Sequence, residues 1–566
     1  MKKTKPLHMT VFYHVLVLIT AVCVLLAGGY YEICAVITGI ALLVAFIWYI
    51  CQGRISFYIN DTAFAFIVIA VSYILSCFWA VDSSVAFWGI AKIFPVLMFS
   101  LCVMQIDSGD KNRLILNLPY MAAFIVIISL ILQFVPILKS QIVISGRFGG
   151  VFGYPNTFAM FLLVCLWITQ WISGRYTMVV QWILVMGIVL SGSRTVFVMT
   201  AVVFIYMVIS KLRKSKMLWK LLLVIFLAVV SALLFNHITG MNVVSHVAGT
   251  ISGNGVSTFW GRLLYYQDAL PVILNHPFGM GYLGYYFTQG SFQHGVYTVR
   301  WVHNDILQLL LDVGWIPAIL LIVAVVKAFI SKNCTLMQKG MLAIIVVHGV
   351  FDFDLEFVAV WFVLILSLDL TAGKRKQYSF EKLEKAVTVI VGVCISLVPL
   401  YAGIVSSAIY FGKNDIAAKL SPRNTFVLLQ ELSNADNAAG MTKYADAILS
   451  HNRYIAIAWD AKARVAYSSG DFEKVIKYKE NAIECNRYDI EEYTDYFELL
   501  ANGHTAYLKA QDIDSAQICY EKAKEIQTKL DRLKANTGNL ARKLKDIPQL
   551  EMPETYKQFI LQGGSK

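Results

Sequence analysis

Charge is scarce in this chain. Asp, Glu, Lys and Arg supply 15% of its 566 residues, against roughly 25% in ordinary soluble domains. The shortage excludes a disordered chain and a cytosolic enzyme. The ten cysteines include no Cys-x-x-Cys pair and none with a His at zinc spacing, so neither a metal knuckle nor a redox dithiol is signalled. Most lie in apolar runs and read as small buried hydrophobes. Acidic residues are fewer than basic ones, 36 against 48, for a net charge of +12. Residues 412–566 are balanced at 22 basic and 22 acidic, so residues 1–411 hold the whole surplus, 26 against 14. On a chain 58% hydrophobic, with mean hydropathy +0.63, a basic surplus points to membrane topology and not to nucleic acid.

Long apolar runs are what the chain has in abundance. A transmembrane helix needs about 20 apolar residues, and runs near that length fall at 10–28, 31–51, 62–79, 84–104, 114–138, 151–172, 176–191, 195–210, 218–237, 305–330, 338–351, 355–370 and 386–411. They predict an all-α polytopic bundle of 12 or 13 spans. The first run, preceded by Lys2, Lys3 and Lys5, reads as an uncleaved signal anchor because so many spans follow. With the N-terminus inside, the inner segments carry 20 basic residues and the outer ones only Lys139, Arg147, Arg194, Arg262 and Arg300. That asymmetry sets the orientation, and thirteen spans then place the tail outside the cytoplasm. The outer loop 238–302, rich in Gly and aromatics, suits stacking on sugar rings or seating at the bilayer interface. It shows no clear helix or strand, and loops this long are usually functional.

The tail, residues 412–566, reads as a separate helical domain. His451-Asn452-Arg453-Tyr454 recurs as Cys485-Asn486-Arg487-Tyr488, 34 residues on. Gly470-Asp471-Phe472, Tyr478 and Ala482-Ile483 fall within that period with Trp459 and Tyr467 before them, a pattern similar to tetratricopeptide repeats. Such stacks make concave surfaces suited to a protein partner. Cys485 and Cys519, also 34 apart, would occupy equivalent core sites.

Outer arginines stand against the orientation pressure, so each asks for a local reason. Arg147 precedes Tyr154-Pro155-Asn156, Arg194 closes the turn Ser191-Gly192-Ser193-Arg194, and Arg262 opens Gly261-Arg262-Leu263-Leu264-Tyr265. Guanidinium groups bind phosphate bidentately and stay charged, so two or three of them converging would suit a diphosphate. The alternative is that each caps a carbonyl or snorkels to headgroups. His303 starts a helix in which Asp305, Gln308 and Asp312 share one face. Polar residues in a span usually face the bundle interior or a wet cavity. A His at its mouth could take a proton from an acceptor hydroxyl, or simply be satisfied by a neighbour. Gly279-Met280-Gly281-Tyr282-Leu283-Gly284 spells G-x-G-x-x-G without a strand before it, which argues against a nucleotide fold.

Taken together these motifs resemble the O-antigen ligase and polymerase superfamily. The matching residues are Arg147 with Pro155-Asn156, Ser191-Gly192-Ser193-Arg194, Arg262 followed by Asn275-His276-Pro277-Phe278-Gly279-Met280-Gly281, His303-Asn304-Asp305-Ile306-Leu307-Gln308, and His348-Gly349-Val350-Phe351-Asp352, in order over roughly residues 60–370. The branch of that family with a tetratricopeptide tail is also similar to this chain. The resemblance implies a GT-C-like membrane glycosyltransferase domain over residues 1–411, in a bacterial cytoplasmic membrane, with its active site on the extracytoplasmic face. It implies metal-independent inverting transfer, without a cofactor, from a polyprenyl-diphosphate-linked (undecaprenyl-type) glycan donor. Arg194 and Arg262 would then clamp the diphosphate and His303 orient or deprotonate the acceptor. Arg147, Asn156, Ser193, Arg300, Asn304 and Gln308 would bind substrate. The acceptor is left open among a growing glycan, a lipid core and a protein hydroxyl. A lipid-linked sugar flippase, which would usually show internal repeats of spans, is the non-enzymatic alternative. Asp352-Phe353-Asp354 has the spacing that holds a metal in many glycosyltransferases, but without further ligands it reads as a solvated helix terminus.

Overall fold

The computed structural model describes residues 6–211, 215–243, 245–246, 256–544 and 550–563. Lys2, Lys3, Lys5, Arg213 and Lys214, which entered the orientation argument, lie outside the described residues. The chain is helical almost throughout, with two short antiparallel ribbons, Arg54–Ile59 with Lys374–Ser379 and Val143–Ile144 with Arg147–Phe148. It divides into two compact units. The first comprises Met1–Leu75, Phe87–Gly255 and His303–Ser407, and the second Ser76–Ala86, Val256–Val302 and Ala408–Lys566.

Each of the thirteen apolar runs is helical, and six helices are long and apolar enough to cross a membrane: Leu7–Leu25, Glu32–Gln52, Ser83–Val103, Ser108–Leu132, Leu218–Thr239 and Lys382–Tyr410. The fold is that of an all-α polytopic membrane protein. Within the first unit, Pro155–Ile168 is buried at every position except Asn156, and Val358–Ser367 at every position. Helices apolar all round belong either in a protein interior or against lipid, and these two take the interior. Leu218–Thr239 is the opposite case, apolar yet only 22% buried, with Leu222, Phe226, Leu233 and Leu234 exposed. It requires an apolar solvent. The core between these extremes is aromatic: Phe99 stacks on Phe362 with centroids 3.9 Å apart, and Phe152 on Phe357 at 5.4 Å.

The run expected as one span at 305–330 is two helices, Asp305–Val313 and Trp315–Ile330. Gly314 takes φ +85°, a region nearly closed to residues with a Cβ. Pro317, three residues on, lacks the N–H that would continue the ladder, and its ring would clash with the Val313 carbonyl. The expected structureless loop at 238–302 also contains the 20-residue helix Val256–Asn275. Leu264, Asp268, Ala269 and Ile273 are its buried stripe, a helical spacing that Gly261 and Pro271 obscure in the sequence.

In the second unit the tail helices Ala438–Leu449, Phe472–Cys485, Ile490–Lys509 and Ile513–Asn536 begin at Asn437, Asp471, Asp489 and Asp512, whose side chains each accept a hydrogen bond from a first-turn N–H. Tyr496, Leu500, Ala523, Ile526 and Leu530 form the centre of their core. The period of 34 separates Ala456 from Ile490, the starts of two helices. It then fails, because Ile490–Lys509 has 20 residues where Ala456–Ser468 has 13. Cys485 therefore closes its helix and is half-buried, while Cys519 sits early in the helix Ile513–Asn536 and is buried. They are not equivalent core sites. Of the ten cysteines, all free, Cys23, Cys102, Cys165, Cys334 and Cys519 are buried, whereas Cys51 and Cys394 are exposed.

Candidate active site

Asp352 is the hub of the first unit's polar interior. It follows the helix Leu336–Gly349 and is 1% exposed, so it is not a solvated terminus. Its Oδ1 accepts from the Tyr154 hydroxyl at 2.8 Å, the Phe353 N–H at 3.1 Å and His303 Nδ1 at 3.3 Å, and its Oδ2 accepts from Asn156 Nδ2 at 2.9 Å. Four donors saturate a carboxylate, and a buried one without them would cost several kcal/mol.

Asn156 carries the chain onward. Its Oδ1 accepts from Arg147 Nη2 at 2.6 Å, while Arg147 Nε donates to the Ser191 carbonyl at 2.8 Å. A guanidinium only donates and a carboxylate only accepts, so a bridge between them must do both, which an amide does. Asn156 holds this position because Pro155 opens the helix Pro155–Ile168 at its first turn. Gly192 (φ +59°) ends the helix Thr177–Ser191. A Cβ there would stand 3.6 Å from both Arg147 Nε and His246 Cδ2. Arg194 opens the next helix. Burial, then the charges of Arg147 and Arg194, hold the His246 imidazole below its ordinary pKa. The two guanidinium charges of Arg147 and Arg194 thus both act on the His246 ring.

His303 takes φ +57°. The left-handed region is uncommon for a residue with a side chain, though His enters it more readily than most, and holding it costs of order 1–3 kcal/mol. Its surroundings fix it. Asn304 Oδ1 caps the following helix, accepting from the Ile306 and Leu307 N–H groups at 3.1 and 3.0 Å, and its Nδ2 donates to the Val350 carbonyl at 3.0 Å. The imidazole meets Phe353 edge-on at 5.0 Å. With Nδ1–H donated to Asp352, Nε2 is the basic nitrogen, on a side chain 20% exposed.

The second aspartate of the Asp-x-Asp motif faces elsewhere. Asp354 accepts from His348 Nδ1 at 2.6 Å and Thr157 Oγ1 at 2.7 Å, so the two carboxylates do not converge. No group of three or more His, Cys, Asp or Glu among the described residues could hold a metal ion. Gln308 donates to Asp312 at 2.9 Å, and Asp312 also accepts from Tyr73 at 3.1 Å. Ser193 is buried in the turn, its N–H donating to Ser191 Oγ at 3.2 Å. In the second unit, half-buried Arg262 lies on the helix Val256–Asn275, and exposed Arg300 stands over the Trp301 ring at 5.2 Å. That unit holds another carboxylate–histidine pair, Asp268 with His294 Nδ1 at 2.7 Å. Asp268 also accepts from the His294 N–H at 2.9 Å and Tyr297 at 2.8 Å. Burial raises its carboxyl pKa against these three bonds.

With this geometry in place, one comparison with known proteins bears on the class. Residues 179–322 match the family model described as O-Antigen ligase. The match supports membership of the O-antigen ligase and polymerase superfamily, whose members include membrane glycosyltransferases. No curated protein and no solved structure matches the chain. The matched segment contains Arg194, His246, Arg262, Arg300, His303, Asn304 and Gln308. Arg147, Tyr154, Asn156 and Asp352 lie outside it, although the first unit ties all four to His303. In the sequence Tyr154 and Asp352 stand in the Tyr154-Pro155-Asn156 and His348-Gly349-Val350-Phe351-Asp352 motifs without a role assigned to them, and nothing singles out His246 or the Asp268–His294 pair.

Proposed function

We propose that the protein transfers a glycan from a polyprenyl diphosphate to an acceptor hydroxyl on the outer face of a bacterial cytoplasmic membrane, as ligase or polymerase in cell-surface polysaccharide assembly. The observation that carries this reading is the continuous chain His303–Asp352–Asn156–Arg147, which joins a basic nitrogen to a guanidinium. His303 Nε2 takes the acceptor proton while Asp352 holds Nδ1–H and stabilises the imidazolium that forms. The acceptor oxygen attacks the anomeric carbon from the side opposite the diphosphate. The anomeric C–O bond breaks, its electron pair leaves with the diphosphate, and configuration inverts. Arg194 and Arg262 neutralise the charge that grows on the leaving group, without a metal. Stabilisation of this kind is often the largest catalytic term. The basic inner segments support the orientation, and the tail is read as a tetratricopeptide-like stack on the same outer face.

Replacing Arg194, Arg262 and His303 singly with Ala tests the proposal. Membrane insertion is confirmed first, and lipid-diphosphate glycan is followed on the outer face. Donor accumulates and product disappears in each variant. Unchanged product in all three would overturn the proposal, and product mass and linkage separate polymer from conjugate.

A further inference from the structure

The repeated Asn-Arg-Tyr of the tail brings two arginines to one place. Arg453 and Arg487, 34 residues apart, line a single hollow of about 420 Å3 together with Tyr454, Trp459, Asn481 and Glu484. We propose that this hollow binds an oligosaccharide bearing an acidic group, a carboxylate or a phosphate.

The hollow is built rather than incidental. Trp459 is fixed at its edge, where Nε1 donates to the Arg453 carbonyl at 2.9 Å, and at its face, which stacks on Tyr478 with centroids 5.9 Å apart. Arg453 is held over the Tyr454 ring at 5.1 Å, and its Nη2 meets the Tyr454 hydroxyl at 3.1 Å. The Arg487 backbone is tied at both ends, its N–H to Gly290 at 3.1 Å and its carbonyl to the Tyr493 hydroxyl at 2.9 Å. Its guanidinium makes no ion pair or hydrogen bond among the described residues. Among the side chains that line the hollow the charged ones are two guanidinium groups and one carboxylate, Glu484, a positive balance, and a guanidinium takes either carboxylate or phosphate bidentately. Glu484 and Asn481 supply acceptors for hydroxyls, and the indole supplies a flat apolar face for a sugar ring. The volume falls in the range of small-ligand sites.

The identity of the ligand rests on the function proposed above, since a glycan-transferring protein handles such chains. The binding measurement is independent of transfer. Full-length protein in nanodiscs is titrated calorimetrically with tetragalacturonate, a phosphorylated malto-oligosaccharide, neutral maltotetraose and tetraglutamate. At least one acidic saccharide binds, about tenfold or more tighter than maltotetraose, and the two acidic probes tell carboxylate from phosphate. Arg487→Gln weakens that binding about tenfold. Trp459→Leu weakens acidic and neutral saccharides alike. Arg487 has no side-chain partner to lose, so its variant keeps the fold, which circular dichroism checks. Absence of binding by both acidic saccharides, unchanged binding in Arg487→Gln, or equal binding of tetraglutamate overturns the proposal. Binding by a protein that transfers nothing would count against the transferase reading alone, and transfer without binding against this site alone.

Discussion

Both units bury carboxylates against histidine Nδ1, but the Asp352–His303 pair of the first and the Asp268–His294 pair of the second lead to different surroundings. In the first, Asp352 passes from His303 through Asn156 to Arg147, whose charge acts with that of Arg194 on His246. In the second, among the described residues Asp268 accepts hydrogen bonds from His294 and Tyr297 only, and the His294 side chain is 47% exposed. Elsewhere the second unit's buried polar groups likewise close on themselves. Lys479, almost wholly buried, faces Asp460, Glu492 and Asp495 at 2.6, 2.7 and 2.9 Å. Asp82 accepts from Ser84, Thr425 and Asn452. A carboxylate–histidine pair is therefore a weak sign of catalysis by itself. Its continuation to a cation, and the left-handed backbone at His303, set one pair apart.

The largest expected effect breaks this comparison directly. His303→Ala lowers turnover by about 100-fold or more, the usual worth of a positioned base, whereas His294→Ala leaves it within about threefold. Glycan transfer in membranes measures both, and equal losses would erase the distinction.

Asp352→Asn is next. The amide cannot stabilise the imidazolium and can present its own N–H to Nδ1, so kcat falls by about 30-fold or more while KM changes little. A rise in KM with kcat intact would instead make Asp352 a substrate-binding residue.

Arg147→Lys retains the charge but loses the two-pronged contact to Asn156 and Ser191. Turnover falls by about tenfold, comparable to the loss of one charge-assisted hydrogen bond. Wild-type rates would show that Arg147 acts only as a charge.

The smallest effect concerns the closed network. Burial, with Asp460 beside it, raises Glu492 to about 7, above the unfolded glutamate value. A carboxyl whose folded pKa is raised binds more protons when folded, so its contribution to stability falls as pH rises from the unfolded value through about 7. The tail melts higher at pH 5 than at pH 8 by a few degrees, roughly 1 kcal/mol. Glu492→Gln flattens that slope. A slope of opposite sign, followed by circular dichroism, would show Lys479 dominating the group.

Part of this site was legible beforehand. Arg147, Asn156 and His303 stood out because orientation pressure disfavours outer arginines and because polar residues in apolar runs are expensive. Asp352 was not, because a carboxylate after a helix reads as solvated until its neighbours are known. Its donors Tyr154 and Asn156 lie about 200 residues earlier, at separations of 198 and 196. The break at Gly314 was written in Gly314-Trp315-Ile316-Pro317, yet hydropathy alone passes over it. The tail's repeat was visible as Asn-Arg-Tyr, but its loss of period depended on the length of the helix Ile490–Lys509.

The sequence by itself determined the helical membrane class, the charge asymmetry and the residue types available for chemistry, because composition and apolar run length are local quantities. Tertiary structure alone decided which polar groups meet. Hydrogen bonds at 2.8–3.3 Å join residues 49 to 198 positions apart, and packing of the helix Leu336–Gly349 on Pro155–Ile168 brings those segments together.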